Sequence, residues 1–357
     1  MKKILLITSA FKISGPNNVV EALCHGFNKE KKRVDIIALR NKHDKNYIEK
    51  IERYSHIHIK PKFIPSIIFL IYCCIKIRPD YINSHGIRAD IYSLLLSIFY
   101  KKKYCATIHN IPFEDYKFRY SSITAFLMLS VHKLVFKNKK ITKICVSEKI
   151  MHSLNSHGAK KTRFVYNGII FDKYNKLNVH DRNKFCEQLH LDNKREKVIF
   201  CGHLTKIKNP LLILPLAKEN PHIDFLVLGD GYLKKELLNN KLDNIHIYGR
   251  VKNVKDYLSI SNIFFMPSIT EGMPMALIEA LKIGLYPLCS NIDIFRELKR
   301  NLNLDLEIFD VNDNQKLAVS FKEAMSKYKT SDNKNIIMDH FSSDVMAKKY
   351  LEIFINV

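Results

Sequence analysis

The 357-residue sequence predicts an α/β protein of two Rossmann-like domains facing across a cleft. Three observations carry this. Short apolar runs of strand length alternate with helical stretches, and the alternation runs through its course twice. A polar stretch at residues 171–193 stands between the two series. The length suits about two domains. The expected division is residues 1–170, with a final helix over residues 343–357 packing back on them, and residues 177–340.

In the first half, Lys3-Ile4-Leu5-Leu6-Ile7 reads as a strand, followed by a loop through Ser14-Gly15-Pro16-Asn17 and a helix over residues 18–28. Residues 34–39 are a second strand. Further strands are expected at 57–59, 81–83, 104–108 and 144–147, with helices at 64–77, 89–99, 123–136 and 148–157. Arg78-Pro79-Asp80 stops one of those helices. His85 and His109 stand just past two strand ends, where open α/β sheets bind ligands.

In the second half, Val198-Ile199-Phe200-Cys201-Gly202 opens a new series. His203-Leu204-Thr205-Lys206-Ile207-Lys208-Asn209-Pro210 follows as a loop. Strands are expected at 224–228, 245–248, 263–266, 286–289 and 307–309. Helices are expected at 211–219, 233–239, 254–259, 314–327 and 343–355. Gly229-Asp230-Gly231 and Gly249-Arg250-Val251 mark turns.

The most informative stretch is residues 267–284, PSITEGMPMALIEALKIG. Ile263-Phe264-Phe265-Met266 is a buried strand that Pro267 and Ser268 end. Pro274 fits the first position of a helix, where a missing N–H costs nothing. The amides of Met275, Ala276 and Leu277 then point out of the helix start without internal partners, which makes an anion site. Glu271 lies in the loop before this site and Glu279 inside the helix, seven residues apart in between. Amides for phosphate and carboxylates for hydroxyls suit a sugar nucleotide.

The arrangement P-S-x-x-E-G-x-P-x-x-x-x-E-A resembles the retaining glycosyltransferases of the GT-B fold, family four. The resemblance extends over nearly the whole chain, with its specific motifs in residues 198–284. It implies that Glu279 accepts from the donor's ribose hydroxyls and that Glu271 orients the donor sugar. The family reacts on the front face, so Glu271 is not implied as a nucleophile. The family's G-R-L-x-x-x-K pattern puts Lys208 on the donor diphosphate. His203 stands where the family has arginine; a histidine donates to phosphate but lacks a fixed charge near neutral pH. His109 resembles the histidine that contacts the donor sugar, whereas His85 reads as structural. Gly15 falls where the family has a glycine-rich loop approaching donor and acceptor, or else in a plain strand–helix turn. Phe164-Val165-Tyr166-Asn167-Gly168-Ile169 resembles the segment that ends the family's first domain, and Glu297 fits a later glutamate of its pattern.

No D-x-D occurs, so a metal-held diphosphate is not indicated, and no cofactor is implied beyond the nucleotide-diphosphate sugar itself. UDP ranks ahead of GDP as its base. The implied acceptor is a polyprenyl-linked or other glycan in surface polysaccharide synthesis.

Charge supports such a setting. The net charge is +23, yet residues 1–176 carry 33 Lys and Arg against 12 Asp and Glu. The asymmetry points the first half at something acidic, an anionic membrane surface or nucleic acid. Residues 116–140 are rich in Tyr, Phe, Leu and Lys, and the helix expected at 123–136 within them has an apolar face fringed by Arg119, Lys133, Lys137, Lys139 and Lys140, which lies on a membrane or packs on the sheet. Lys60-Pro61-Lys62 and Lys101-Lys102-Lys103 extend the same surface. No nucleic-acid motif occurs, so nucleic acid is not expected as a partner.

The eight cysteines form no C-x-x-C pair and read as buried thiols in a reducing cytoplasm. No signal peptide is expected, and the longest apolar stretch, residues 63–75, is short for a bilayer. The expected location is the cytoplasm, peripheral on the inner face of the membrane. Two other readings stay open: a GT-B nucleotide-sugar epimerase, and a non-enzymatic basic nucleic-acid-binding protein.

Overall fold

The computed structural model of this chain describes residues 2–356 apart from Lys42 and Tyr120, with the side chains of residues 117–119 outside the description. The expected basic fringe at Arg119 therefore lies outside the described side chains. Contacts divide the chain into Met1–Ile170 with His340–Val357, and Phe171–Asp339. Among the described residues each unit holds one parallel sheet, of seven and of six strands. The fold is GT-B, with two Rossmann-like domains.

The first unit runs β1 (Lys3–Thr8), α1 (Gly15–Lys29), β2 (Arg33–Ala38), α2 (Lys45–Glu52), β3 (His56–Ile59), α3 (Ser66–Ile77), β4 (Tyr81–His85), α4 (Ile87–Phe99), β5 (Lys103–Ile108), α5 (Pro112–Arg119), α6 (Ser122–Lys137), β6 (Ile141–Cys145), α7 (Glu148–Ser156) and β7 (Thr162–Phe164). The sheet order is β3-β2-β1-β4-β5-β6-β7. The central strands are buried on both faces, so β1 reads as a continuous apolar run rather than an alternating one, while β4 and β6 also bury polar residues such as Asn83 and Lys143. The chain moves one way through β2 and β3, then returns to β4 and moves the other way. Right-handed crossovers therefore put α3, α4 and α6 on one face and α1 and α2 on the opposite face.

The helix expected at 18–28 starts earlier, at Gly15. Pro16 explains the difference: in the first turn its missing N–H removes no helical bond. Gly15 is thus the first helical residue rather than a loop residue.

The second unit contains α8 (Val179–Gln188), β8 (Lys197–Cys201), α9 (Ile213–Glu219), β9 (Asp224–Leu228), α10 (Lys234–Asn239), β10 (Ile245–Gly249), α11 (Val254–Ser259), β11 (Ile263–Met266), α12 (Met275–Ile283), β12 (Tyr286–Ser290), α13 (Asp293–Leu302), β13 (Glu307–Phe309), α14 (Asn314–Lys327) and α15 (Lys334–His340), whose last residue already groups with the first unit. Its sheet order is β10-β9-β8-β11-β12-β13. Phe225, Phe265, Leu288, Phe309 and Phe321 lie in one buried cluster with Val198 and Ile213.

The last helix, α16 (Ser343–Ile355), packs on α1 in the first unit. Ser342 caps it by accepting from the Val345 amide at 3.1 Å. The approach is so close that a Cβ at Gly26 would stand 2.3 Å from the Ser343 carbonyl oxygen. His25 Nδ1 lies 2.8 Å from Ser343 Oγ, and Lys29 donates to Asp344 at 3.0 Å.

Candidate functional site

In the second sheet the chain leaves β8 toward β9 and β10, then returns on the other side as β11. The carboxyl ends of β8 and β11 therefore flank the switch in direction, where doubly wound sheets form a ligand crevice. The loop after β8 carries His203 and Lys208, and the loop after β11 carries Glu271. The two loops are joined directly: the Ile269 amide donates to the Ile207 carbonyl at 2.7 Å.

Close packing behind this crevice depends on Gly229, after β9. Its φ is 136°, and a Cβ there would fall 1.8 Å from the Gly202 carbonyl oxygen. The Leu204 amide then reaches the Asp230 carbonyl at 3.0 Å, and the Lys206 amide donates to the Tyr232 hydroxyl at 2.7 Å. The loop that presents Lys208 is thus pinned to two neighbouring strand ends.

Lys208 and Glu271 meet. The Lys208 ammonium forms an ion pair with Glu271 Oε1, and the Ser268 hydroxyl donates to the same oxygen at 2.7 Å. Ser268 is fully buried and its carbonyl accepts from Ser290 Oγ at 2.5 Å. The Pro267-Ser268 end of β11 therefore does more than terminate a strand: it fixes the carboxylate. A phosphate placed here would compete with Glu271 for the lysine, so cation and carboxylate form one adjustable pair.

The helix α12 begins at Met275, one residue later than expected. Pro274 is its cap, with φ −78° and ψ 110°, and not its first helical residue. Its carbonyl accepts from the Ile278 amide at 3.5 Å, closing the first turn. The amides of Met275, Ala276 and Leu277 precede that bond and point out of the helix start. Met275 and Ala276 are half-buried and Leu277 is buried.

Glu279 is buried, and the Tyr174 hydroxyl donates to its Oε1 at 2.7 Å. Burial pushes its carboxyl up from 4.5 to about 7, against the hydrogen bond from Tyr174 and the charge of Lys173. The Cys201 thiol at the end of β8 is raised to about 12, chiefly by burial; Glu279 raises it further and Lys208 lowers it. Both charged groups therefore act at the same strand end. His203 is exposed in the loop, beside the exposed Lys206. Arg250, just past β10, is also exposed, whereas Glu297 is buried within α13.

In the first unit, His85 ends β4 and His109 follows β5, on neighbouring strands. His85 Nδ1 lies 3.0 Å from His109 Nε2. Burial lowers His109 to about 4, and burial with the neighbouring ring lowers His85 well below the usual histidine range. Both rings are neutral at physiological pH, so one donates and the other accepts. With His85 as donor, His109 carries its proton on Nδ1 and offers a second donor. Gly15 lies in open space at the start of α1. Asn17 staples the loop before it: its amide donates to the Ala10 and Lys12 carbonyls at 2.8 and 2.6 Å.

Sequence reading missed Tyr174, the bond from Ser268 to Glu271 and the partnership of His85. Tyr174 stands 105 residues from Glu279, in the polar connector, and no local spacing marks it. His85 did have a signal, since it shares with His109 a position at a strand's carboxyl end.

The family model described as Glycosyltransferase Family 4 matches residues 13–173, and the one described as Glycosyl transferases group 1 matches residues 181–336. The O-antigen biosynthesis glycosyltransferase WclY of Escherichia coli is 29% identical over 294 residues, 78% of this chain and 80% of that protein. The UDP-Gal:alpha-D-GlcNAc-diphosphoundecaprenol alpha-1,3-galactosyltransferase of Escherichia coli is 27% identical, over 58% of this chain and 56% of that one. Among solved structures, Anabaena Alr3699/HepE in complex with UDP and glucose superposes with a TM-score of 0.83 at 15% identity, covering 100% of both chains.

Proposed function

Since the chain belongs to the family of glycosyl transferases group 1 and family 4, we propose that this glycosyltransferase moves a hexose from a UDP-sugar, with retention and without a metal, to a polyprenyl-linked glycan at an anionic membrane surface. The observation that carries the reading is the cluster at the carboxyl ends of β8 and β11. There Lys208 pairs with Glu271, Lys208 and Glu279 both act on the Cys201 thiol at the end of β8, and the first amides of α12 follow the loop that carries Glu271.

Each group has a part in the proposed reaction. The diphosphate lies against Lys208 and the amides of Met275, Ala276 and Leu277, with His203 as a further donor. As the bond from the anomeric carbon to the phosphate oxygen breaks, negative charge grows on the leaving diphosphate. Fixed donors oriented before the reaction stabilise that charge at no reorganisation cost. Glu279 accepts from the ribose hydroxyls. Glu271, released by Lys208 as the phosphate arrives, turns its lone pairs to the sugar. In the first unit, His109, oriented by His85, offers a donor for a sugar hydroxyl, and Gly15 at the start of α1 leaves open space for an acceptor. The names of two similar proteins support donor and acceptor: one structure holds UDP and glucose, and one relative is a UDP-Gal transferase acting on a diphosphoundecaprenol-linked sugar.

The membrane surface is supported by the outer face of the first unit. Among the described residues no helix is long and apolar enough to cross a membrane. Yet α3, α4 and α6 expose Ile68 and Ile75, Ile98 and Phe99, and Phe126 and Leu127, each more than half accessible. An apolar face of this extent, set among lysines, suits contact with lipid headgroups and acyl chains at the inner face of the membrane. It also suits a role in surface polysaccharide synthesis, where the acceptor is held by lipid.

The test is transfer itself. The protein is incubated with UDP-sugars and with vesicles carrying polyprenyl-diphosphate-linked glycans, with a chelator present, and product linkage is read by NMR. An α-linked product from an α-linked donor is the expected result. An inverted product, or activity only with added metal, refutes those parts of the proposal.

A further inference from the structure

At the amino edge of the first sheet lies a pocket of about 540 Å³, lined by Lys2, Lys101, Lys102, Lys103, Lys140 and Lys161. It is remote from the histidine pair, which stands at the opposite, carboxyl edge. Strands of five or six residues separate the two edges by roughly 17–20 Å.

The clustering comes from register. In the order β1-β4-β5-β6-β7, Lys2 precedes β1, Lys103 opens β5, Lys140 precedes β6 and Lys161 precedes β7. Only β4 breaks the row, with Asp80 before it. Neighbouring strands are about 4.8 Å apart, so these ammonium groups line one edge instead of dispersing over a surface. Asp80 is the one carboxylate lining the pocket among the described residues, and it is already engaged: it accepts from the Lys3 amide at 2.8 Å and lies 4.0 Å from the Lys2 ammonium. Lys103 is tied to the Ile355 carbonyl at 2.8 Å. Lys101, Lys140 and Lys161 have no carboxylate partner among the described residues. Lys161 moreover holds a left-handed backbone, φ 51°, a conformation disfavoured for a residue with a side chain. Tyr81 adds an aromatic wall, with the Lys2 and Lys103 ammonium groups each 6.0 Å from its ring centre. A concave, six-lysine site with one spent carboxylate lacks its counter-charge.

We propose that this pocket binds the phosphate-bearing headgroup of an anionic phospholipid. The lipid source is argued from α4, whose end leads directly into the pocket. Phe99 is 83% exposed and Ile98 57%, immediately before Tyr100 and Lys101. Cationic pocket and bare apolar helix end thus adjoin as headgroup and acyl chain do. The proposal rests on the membrane reading above and gives it a defined contact, separate from sugar transfer.

The experiment is co-sedimentation of the full chain with vesicles of phosphatidylcholine alone and with phosphatidylglycerol added. The variants are Lys101→Gln/Lys140→Gln/Lys161→Gln, a charge-matched control Lys235→Gln/Lys241→Gln/Lys322→Gln in the second unit, and Phe126→Ser/Leu127→Ser on the apolar face. At about five-fold per lysine near an anionic surface, the pocket variant should bind phosphatidylglycerol vesicles on the order of a hundred-fold more weakly. The control should stay within about two-fold if charge placement rather than charge number decides. Circular dichroism confirms that each variant is folded, and transfer to a soluble acceptor should be unchanged in the pocket variant. Equal weakening by pocket and control variants overturns the proposal. So does loss of inorganic pyrophosphate binding, or of single-stranded DNA binding, in the pocket variant with vesicle binding intact. If the apolar-face variant loses vesicles and the pocket variant keeps them, the pocket falls and the membrane reading stands. If the wild type binds no vesicles, both fall.

Discussion

Replacing Glu279 by glutamine should remove a defined pH dependence of stability. In the folded chain this carboxyl is buried and raised from 4.5 to about 7. The folded state therefore holds a proton, between pH 4.5 and about 7, that the unfolded chain has released. Stability contributed at this site must fall as pH rises through that window, and level off above it. Each pH unit in the window is worth about 1.4 kcal/mol. Over the whole window the wild type should lose roughly 3 kcal/mol relative to Glu279→Gln, whose amide does not titrate. The assay is urea unfolding of both proteins from pH 4.5 to 8 at constant ionic strength. Subtracting one from the other cancels every other titrating group, and the transition to follow is that of the second unit, which contains Glu279. A difference that does not change with pH refutes the burial argument, and a difference of opposite slope refutes its sign. The same reasoning reaches function. Ribose hydroxyls that donate to the ionised carboxylate would pull its proton off, so UDP affinity should rise with pH up to about 7 in the wild type and stay level in the variant.

Three further outcomes follow from the same geometry. Lys208→Ala removes the cation facing the leaving phosphate and should lower turnover by at least ~2 kcal/mol, about thirty-fold, as loss of a fixed electrostatic donor does; near-normal turnover would exclude that part. Tyr174→Phe withdraws the hydrogen bond that favours the ionised form, so the pH at which UDP affinity levels off should move upward, with a stability cost of about 1 kcal/mol; an unmoved pH profile would show that the hydroxyl does not act on Glu279. Gly229→Ala sets a Cβ against the Gly202 carbonyl and should destabilise by at least ~2 kcal/mol, seen as a lowered melting temperature; an unchanged melting temperature would mean that the loop yields freely.

Much of the architecture was legible because buried parallel strands are written as apolar runs, such as Lys3-Ile4-Leu5-Leu6-Ile7 in β1 and Ile263-Phe264-Phe265-Met266 in β11. Helices with a strong capping residue were legible to the residue, as with α16 after Ser342 and α14 after Asp313. Starts governed by proline were shifted, at Gly15 and at Met275, because proline is equally at home as cap and in the first turn. Residues 171–193 read as a polar connector but contain α8, which buries Cys186 alone of its ten residues and so shows little apolar periodicity. The site divides the same way. Glu271 and Glu279 could be found because a strand end and a helix start fix their spacing within one stretch. Tyr174 could not, because its bond to Glu279 is made by tertiary packing between segments that share no local pattern; the positions of His85 and His109 at two strand ends were legible, but their direct contact depends on β4 and β5 being neighbours.

The crevice flanked by β8 and β11 is proposed to be a nucleotide-diphosphate site. Its most direct test is the melting temperature of the full chain with saturating UDP, GDP, ADP or CMP, for the wild type, Lys208→Ala and Glu279→Ala. At about a hundred times the dissociation constant, binding adds roughly 2.7 kcal/mol, which raises the melting point of a unit of this size by several degrees. UDP should produce such a rise in the wild type and in neither variant. No rise with any nucleotide at millimolar concentration, or a rise that survives both substitutions, would contradict it.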